Sequence, residues 1–369
     1  MTASNFTNPA TQRDYSLTGK SAITAAEIGL ASAEWYHTEV PRKTMKELMQ
    51  RRDGPAIRDT VVWFGILVFS GLGAAYFWGT SWRFPFLFVY GLFYASAADS
   101  RWHECGHGTA FKTRWMNEAV YQLASFMMIR NPVTWRWSHT RHHTDTIIVG
   151  RDPEIVVMRP LAVLSTVSNF FGVADFWYSS KELLQNAFGK IDEERLVFIP
   201  GMEVPKVTRA ARVHLAIYAI VVTLSLYLSS WLPVVLVILP RLYGAWHQEL
   251  VGLLQHGGLA DNVIDHRLNT RTVYMNPISR FVYWNMNFHV EHHMFPMVPY
   301  HALPRLHQLI KHDLPAPNTS IFEAYCEMVP AILKQLRNPD YAIKRELPPT
   351  AKPYREQFHT NESLPNFAA

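Results

Sequence analysis

The most regular feature of this chain is where charge is missing. From Val61 to Trp82 there are 22 residues without a charged side chain, enough to cross about 30 Å of hydrocarbon at about 1.5 Å per helical residue. Arg83 interrupts, and a second apolar run from Phe84 to Ala98 ends at Asp99. That run is short for a crossing, but Asp99, Ser100 and the residues beyond can continue the same helix past the lipid. The pair predicts an out-and-back hairpin with spans over 61–82 and 84–99. Between Arg212 and Arg241 the chain has no Asp, Glu, Lys or Arg and a single histidine, His214. The Ser and Pro of SSWLP, 229–233, mark a turn. This predicts spans over 213–228 and 232–254, the second kinked at Pro240. Arg241, His247 and Glu249 fall in the inner half of that last span, where ionisable groups are costly and usually face a site.

The pattern predicts an all-α, polytopic integral membrane protein, with four transmembrane helices in two hairpins and a helical cap on the cytoplasmic side. Composition agrees: 49% of residues are hydrophobic and 18% charged, against about 25% charged in soluble domains. Arg83 is the one basic residue of the two outer loops, while 1–60, 100–211 and 255–369 carry nearly all the rest. By the positive-inside rule both termini and both long segments are cytoplasmic. The first 58 residues lack an apolar h-region, so no cleaved signal is expected. The expected organisation is a cytoplasmic N-terminal segment, 1–59, a membrane domain, 60–312, and a cytoplasmic tail, 313–369. Within the first segment, RKTMKELMQRR (42–52) reads as a short helix, on the membrane surface or solvated. The apolar stretches 121–129 and 161–171 are too short to span and read as interfacial or core segments. The net charge of +5 is spread along the chain, which argues against nucleic acid as a partner. Two cysteines, Cys105 and Cys326, are too few for a disulfide framework, a rubredoxin site or a four-Cys iron–sulfur cluster.

Candidate chemistry lies in the histidines, 17 in all. HECGH (103–107) matches H-E-x-x-H, the helix-borne zinc pair of many metalloproteases. It has company, however. HTRHH supplies His139, His142 and His143, and HVEHH supplies His289, His292 and His293. Residues three and four apart share a helix face, so each group aims its imidazoles at one point. A catalytic zinc takes three protein ligands, whereas His103, His107 and the other six suffice for two metal ions. HECGH is therefore read as one third of a two-metal site, and Glu104 is not obviously a base. His256, in LLQHGGLA, sits where the fourth span reaches the surface and is a candidate ninth ligand. His247 and His266 are weaker candidates. His37, His214, His301, His307, His312 and His359 have no such company and read as ordinary histidines. Asp145, Asp152, Glu154, Asp261, Asp265 and Glu291 are near enough in sequence to orient ligand histidines.

With these three boxes and two hairpins, residues 60–312 resemble the membrane fatty acid desaturase and hydroxylase superfamily. DHRLNTRTV (265–273) and WNMNFHVEHHMFPMVPYHALPRLH (284–307) look like its bacterial branch. The resemblance implies that His103, His107, His139, His142, His143, His289, His292 and His293 bind two iron ions that activate O2, with His256 similar in position to the family's extra histidine. It implies an O2-dependent diiron desaturase of a fatty acyl chain in a bacterial cytoplasmic membrane, with the active site on the cytoplasmic face. The physical reading agrees: an aliphatic C–H bond has no acidic proton, so a redox metal must supply the oxidising power. An all-imidazole site would also suit zinc, copper or nickel. Electrons must come from a separate ferredoxin, rubredoxin or cytochrome b5 with its reductase, because QHGG only looks like the His-Pro-Gly-Gly haem motif. Arg136, Arg141, Arg151 and Arg159 are candidates for the carrier's docking face. Two enzymatic alternatives stay open: a hydroxylase or alkane-type monooxygenase, and a desaturase of a small amino-acid-derived metabolite, as in dihydrorhizobitoxine desaturase-like members. A non-catalytic membrane metal-binding protein is the alternative of a different class.

Overall fold

The structure, a computed structural model, describes residues 13–355. Among them there is no β-strand, only two isolated bridges, Thr272 to Phe288 and Val273 to Asn318. The first expected hairpin is present as α1 (Asp53–Tyr76) and α2 (Arg83–Gly106). Helix α1 buries one narrow stripe, including Ala56, Trp63, Leu67 and Ala74, and exposes Val61, Val68, Phe69 and Leu72. Where α1 meets α2, the Trp63 indole N–H donates to the Phe93 carbonyl at 2.8 Å.

Helix α2 is the central post. It is buried almost continuously from Gly91 to Cys105, and its uninterrupted helix carries the first histidine pair out of the apolar stretch. Its last turns hold Asp99, Arg101, His103 and Glu104, polar residues that a lipid-facing helix does not tolerate. Around it pack α3 (Arg114–Met127), which buries Tyr121 and Ala124, and α4 (Pro132–Thr144). The 121–129 stretch is thus core. In contrast, the helix Val163–Asn169 within 161–171 buries none of its residues. The helix Arg42–Leu48 is present and buries Leu48 alone.

Helix α5 (Val173–Ala187) packs against α6 (Val204–Tyr227). Helix α6 begins nine residues before the expected span and buries only Val207, Ala211, His214 and Ser225. Two helical runs among the described residues, Arg42–Tyr76 and Gly201–Tyr227, are long and apolar enough to cross a membrane. They overlap the first and third expected spans, ending at Tyr76 and Tyr227.

The stretch expected as a fourth, kinked span is instead three short helices: α7 (Leu232–Val237), α8 (Pro240–Gly244) and α9 (Trp246–His256). Pro240 has no N–H to continue the ladder, but the larger cause is tertiary. A Cβ at Gly244 would sit 1.9 Å from the Gly91 carbonyl oxygen, so α8 and α2 touch backbone to backbone. The carbonyls freed by the breaks find side chains. Val235, Leu236 and Val237 accept from the hydroxyls of Tyr243, Tyr90 and Tyr94 at 2.9, 2.9 and 2.8 Å. Ser96 donates to the Gly244 carbonyl at 2.6 Å and accepts from Gln248 N–H at 3.0 Å. Broken helices inside an apolar layer require this kind of internal satisfaction.

Candidate metal centre

Three local devices aim the histidines. His103 sits on the final turn of α2 and His107 at its C-cap. The second box rides on α4, which starts at Asn131–Pro132. There the Asn131 side chain accepts from the N–H groups of Val133 and Thr134 at 3.1 and 3.4 Å, with Pro at the first helical position, the preferred start for a helix. The third box is α10 (His289–Met294), a turn and a half that could not stand alone. It is clamped instead: Val273 N–H donates to Asn287 O at 3.0 Å, and the Asn287 amide returns to Val273 O at 2.8 Å.

All nine histidines expected as ligands come together. His103, His107, His139, His143 and His292 form one group, and His142, His256 and His293 another, with the ligand atoms of each group within 4.8 Å of one another. His289 borders the second group, its Nε2 3.1 Å from that of His293. The ring nitrogens meet head to head: Nε2 of His103 and His292 at 2.7 Å, of His107 and His139 at 3.1 Å, and of His143 and His292 at 3.2 Å. Where Nδ1 carries the one proton of a neutral ring, Nε2 is an acceptor only, and acceptors facing one another cannot bond. A shared cation between them resolves the crowding.

The outer nitrogens show which way the lone pairs point. His139 Nδ1 donates to Glu154 at 2.9 Å, His142 Nδ1 to Asp152 at 2.8 Å, and His256 Nδ1 to the Asn269 carbonyl at 2.8 Å. Thr146 spends its hydroxyl proton on the His142 carbonyl at 2.8 Å, so at 3.2 Å it accepts from His293 Nδ1. With Nδ1 protonated in each case, Nε2 presents its lone pair inward, the arrangement of metal-ligating histidine. Burial, reinforced by mutual repulsion, holds His103, His107, His143, His289, His292 and His293 well below the usual imidazole range. His256 is pushed down to about 3, chiefly by burial. These rings are neutral at physiological pH, as metal ligation requires. His142 goes the other way: burial opposes its charge, but Asp152 overcomes it and raises the ring.

Of the six carboxylates near enough in sequence, two face ligand histidines, Asp152 and Glu154. Asp145, Asp261 and Asp265 pair with arginines. Glu291 holds His307 and Thr272, so His307 is a satisfied core histidine. Asn269 and Thr146 were not singled out from sequence, and neither carries a signal: each acts through a long-range contact. His247 turns to Ser279 at 3.1 Å. His266 stacks on Trp35 at 4.3 Å and lies 5.2 Å from the His293 ring, beside the second group and outside it. Glu104 Oε1 accepts from Thr109 at 2.7 Å and from Tyr300 N–H at 3.0 Å, tying α2 to the 300 loop. Burial lifts its carboxyl to about 7. The four arginines considered for docking all have internal partners: Arg136 with Glu118, Arg141 and Arg151 with Asp145, and Arg159 with Asp261.

A cavity of about 250 Å³ reaches His103, His139, His142, His256 and His289. Its walls are mixed. Trp102, Trp135, Ile147 and Ile155 contribute apolar surface, while Asp99, Arg130, Asp175, Arg241, Gln248 and Glu249 contribute charge and amides.

A helical scaffold that gathers three histidine boxes and a ninth histidine into two adjoining groups fits a metal site. Residues 80–325 match the family described as Fatty acid desaturase, and the chain belongs to that family. It is similar to an acyl-lipid (9-3)-desaturase of Physcomitrium patens, 23% identical over 274 residues, covering 62% of this chain and 49% of the relative. It is also similar to the Delta(5) fatty acid desaturase fat-4 of Caenorhabditis elegans, 25% identical over 243 residues, covering 57% and 53%. The chain thus spans about half the length of these relatives.

Proposed function

We propose that this protein is an O2-dependent desaturase whose nine histidines hold two iron ions. The observation that carries the reading is the set of Nε2 atoms converging in two groups while Asp152, Glu154, Asn269 and Thr146 occupy the opposite ring nitrogens. The irons supply the oxidising power to take hydrogen from an unactivated C–H bond. The protein's own part is to hold the imidazoles neutral, fix their tautomers and exclude water. Atoms balance when a CH2–CH2 unit loses two hydrogens and O2 leaves as two waters, the further two electrons coming from a carrier and the further two protons from solvent. That carrier is a separate ferredoxin, rubredoxin or cytochrome b5 with its reductase.

The topology proposed is four crossings in two hairpins, with α1 and α2 as the first and α6 and α7–α9 as the second. The boxes and both termini then share the cytoplasmic side of a bacterial cytoplasmic membrane, which the positions of Lys and Arg support. Segments 1–59 and 313–369 flank the membrane domain on that side.

An acyl chain is the substrate class supported by the relatives' printed names, acyl-lipid and fatty acid desaturases. A second reading, a small polar metabolite, is favoured by the charged walls of the cavity, since apolar ligands are usually enclosed by apolar side chains. Iron analysis of the purified protein, coupled to mass spectrometry of lipids and small metabolites from cells with and without the gene, tests the proposal. Two iron ions per chain and a product lighter by two hydrogens support it. A product heavier by one oxygen means a hydroxylase instead. Iron bound with no O2 consumption leaves only a metal-binding protein.

A further inference from the structure

The charged side chains around the cavity have hydrogen-bond partners at every residue but one. Arg130 donates to Asp99 at 2.8 Å, and Arg241 grips Asp175 at 2.6 and 2.9 Å. Asp261 is held by Arg13 at 2.5 Å and met by Arg159 at 3.4 Å, while Glu154 serves His139 and Ser138. Glu249 lines the same cavity, is 8% exposed, and its buried Oε1 has no hydrogen-bond partner among the described residues. No ion pair to its carboxylate is formed there either. A buried carboxylate without a partner is costly, and one that faces a cavity has a place for the partner to arrive.

The helix gives the geometry. Glu249, Gly252 and His256 lie on one face of α9, and the seven helical steps from first to last span about 10 Å along the axis. Gly252 sits between them and leaves the way clear. A Cβ built there would meet only the Gln248 amide, at 3.5 Å. A carboxylate at one end, a ligand histidine at the other and an open floor between them describe a slot for a short chain with a positive end.

We propose that Glu249 anchors an ammonium group of a small polar substrate, whose aliphatic segment runs over Gly252 to the histidines. This rests on the polar-metabolite reading of the site. An ammonium gives Glu249 the partner it lacks, whereas a plain acyl chain would leave its carboxylate without water or partner. The cavity is also small, at about 250 Å³, below the roughly 300–1,000 Å³ of common ligand pockets.

The test uses the full chain, iron-loaded, in phosphatidylglycerol nanodiscs, with binding read by isothermal calorimetry. The probes are octylamine, 2-aminooctanoic acid and octanoic acid. Both amines should bind and octanoic acid should not. Glu249→Gln should weaken the amines at least about thirtyfold, which is about 2 kcal/mol at 1.4 kcal/mol per decade, with Glu249→Asp restoring part of the affinity. Gly252→Leu, which fills the floor, should block the eight-carbon amines and leave methylamine binding intact. Equal binding of octanoic acid and octylamine overturns the proposal, as does Glu249→Gln binding like the wild type. Should ammonium recognition appear only as phosphatidylethanolamine nanodiscs competing, with no free amine bound, the small-substrate claim fails. Iron content and O2 consumption, measured on the same samples, separate this from the desaturase reading. Iron-loaded, acyl-desaturating protein that ignores amines sinks the anchor alone, while protein without iron sinks the desaturase.

Discussion

Asp152 is the residue through which the two histidine groups can be told apart. Its carboxylate accepts three buried hydrogen bonds: His142 Nδ1 and Ile147 N–H on Oδ2, both at 2.8 Å, and Glu154 N–H on Oδ1 at 2.8 Å. The side chain is 0% exposed. Asp152→Asn keeps the shape but turns one acceptor oxygen into an NH2, leaving one oxygen for three donors. If the oxygen stays toward His142, the amide NH2 is forced against Glu154 N–H. If it flips, His142 loses the bond that fixes its tautomer. Either way His142 no longer faces a charged acceptor. Substitutions behind a metal-bound histidine weaken metal affinity about 10–100-fold, about 1.4–2.8 kcal/mol. The assay is an anaerobic Fe(II) titration of the metal-free protein against a chromophoric chelator. Asp152→Asn should weaken one of two binding steps by that factor and spare the other, because Asp152 touches only the group of His142, His256 and His293. Glu154→Gln, acting on His139, should weaken the opposite step. Two unchanged steps in both variants, or both steps lost together in each, would refute the assignment of one iron to each group.

Gly244→Ala places a methyl 1.9 Å from the Gly91 carbonyl oxygen. It should cost at least about 1–3 kcal/mol, read as a lowered Tm in detergent, while Gly79→Ala, with open space around it, should leave Tm near the wild-type value. Glu104→Gln should keep its bonds to Thr109 and Tyr300 and hold turnover within about tenfold of wild type. A loss of about 10²–10⁴, the usual contribution of a general base, would show that HECGH works as a protease-type motif after all. The metal-free protein should lose stability on acidification. The depressed histidines stay neutral when folded, so below about pH 6.5 the unfolded chain binds more protons. Each contributes a loss of up to about 1.4 kcal/mol per pH unit as the pH falls from 6.5 toward its folded value. His142, raised by Asp152, and Glu104, lifted to about 7 by burial, oppose the trend as two groups against seven. A Tm of metal-free protein that rises between pH 7.5 and pH 5.5 would contradict this.

Much of this site is written in local periodicity. The spacings of three and four in HECGH, HTRHH and HVEHH place imidazoles on single helix faces wherever those segments are helical, because the helical repeat fixes which side chains are neighbours. Charge-free runs likewise mark α1 and α6, since only length and composition enter that judgement. The resemblance carried by the boxes is matched by the family assignment over 80–325.

What the sequence alone could not determine is every choice that depends on contact between distant segments. Six carboxylates stood close enough to orient ligand histidines, and only packing selected Asp152 and Glu154 while sending Asp145, Asp261 and Asp265 to arginines. His247, His256 and His266 were all within reach of the site. The turn of α9 brought in His256 and left His247 against Ser279, while His266, ten residues past the end of α9, stacks on Trp35. The fourth apolar stretch read as one kinked helix because Pro240 is visible in the sequence. The close approach of Gly244 to Gly91, and the tyrosine hydroxyls that make three helices tolerable, are not. Helical spacing is a property of one segment and can be counted, whereas a hydrogen bond between residues a hundred positions apart exists only once both segments have folded.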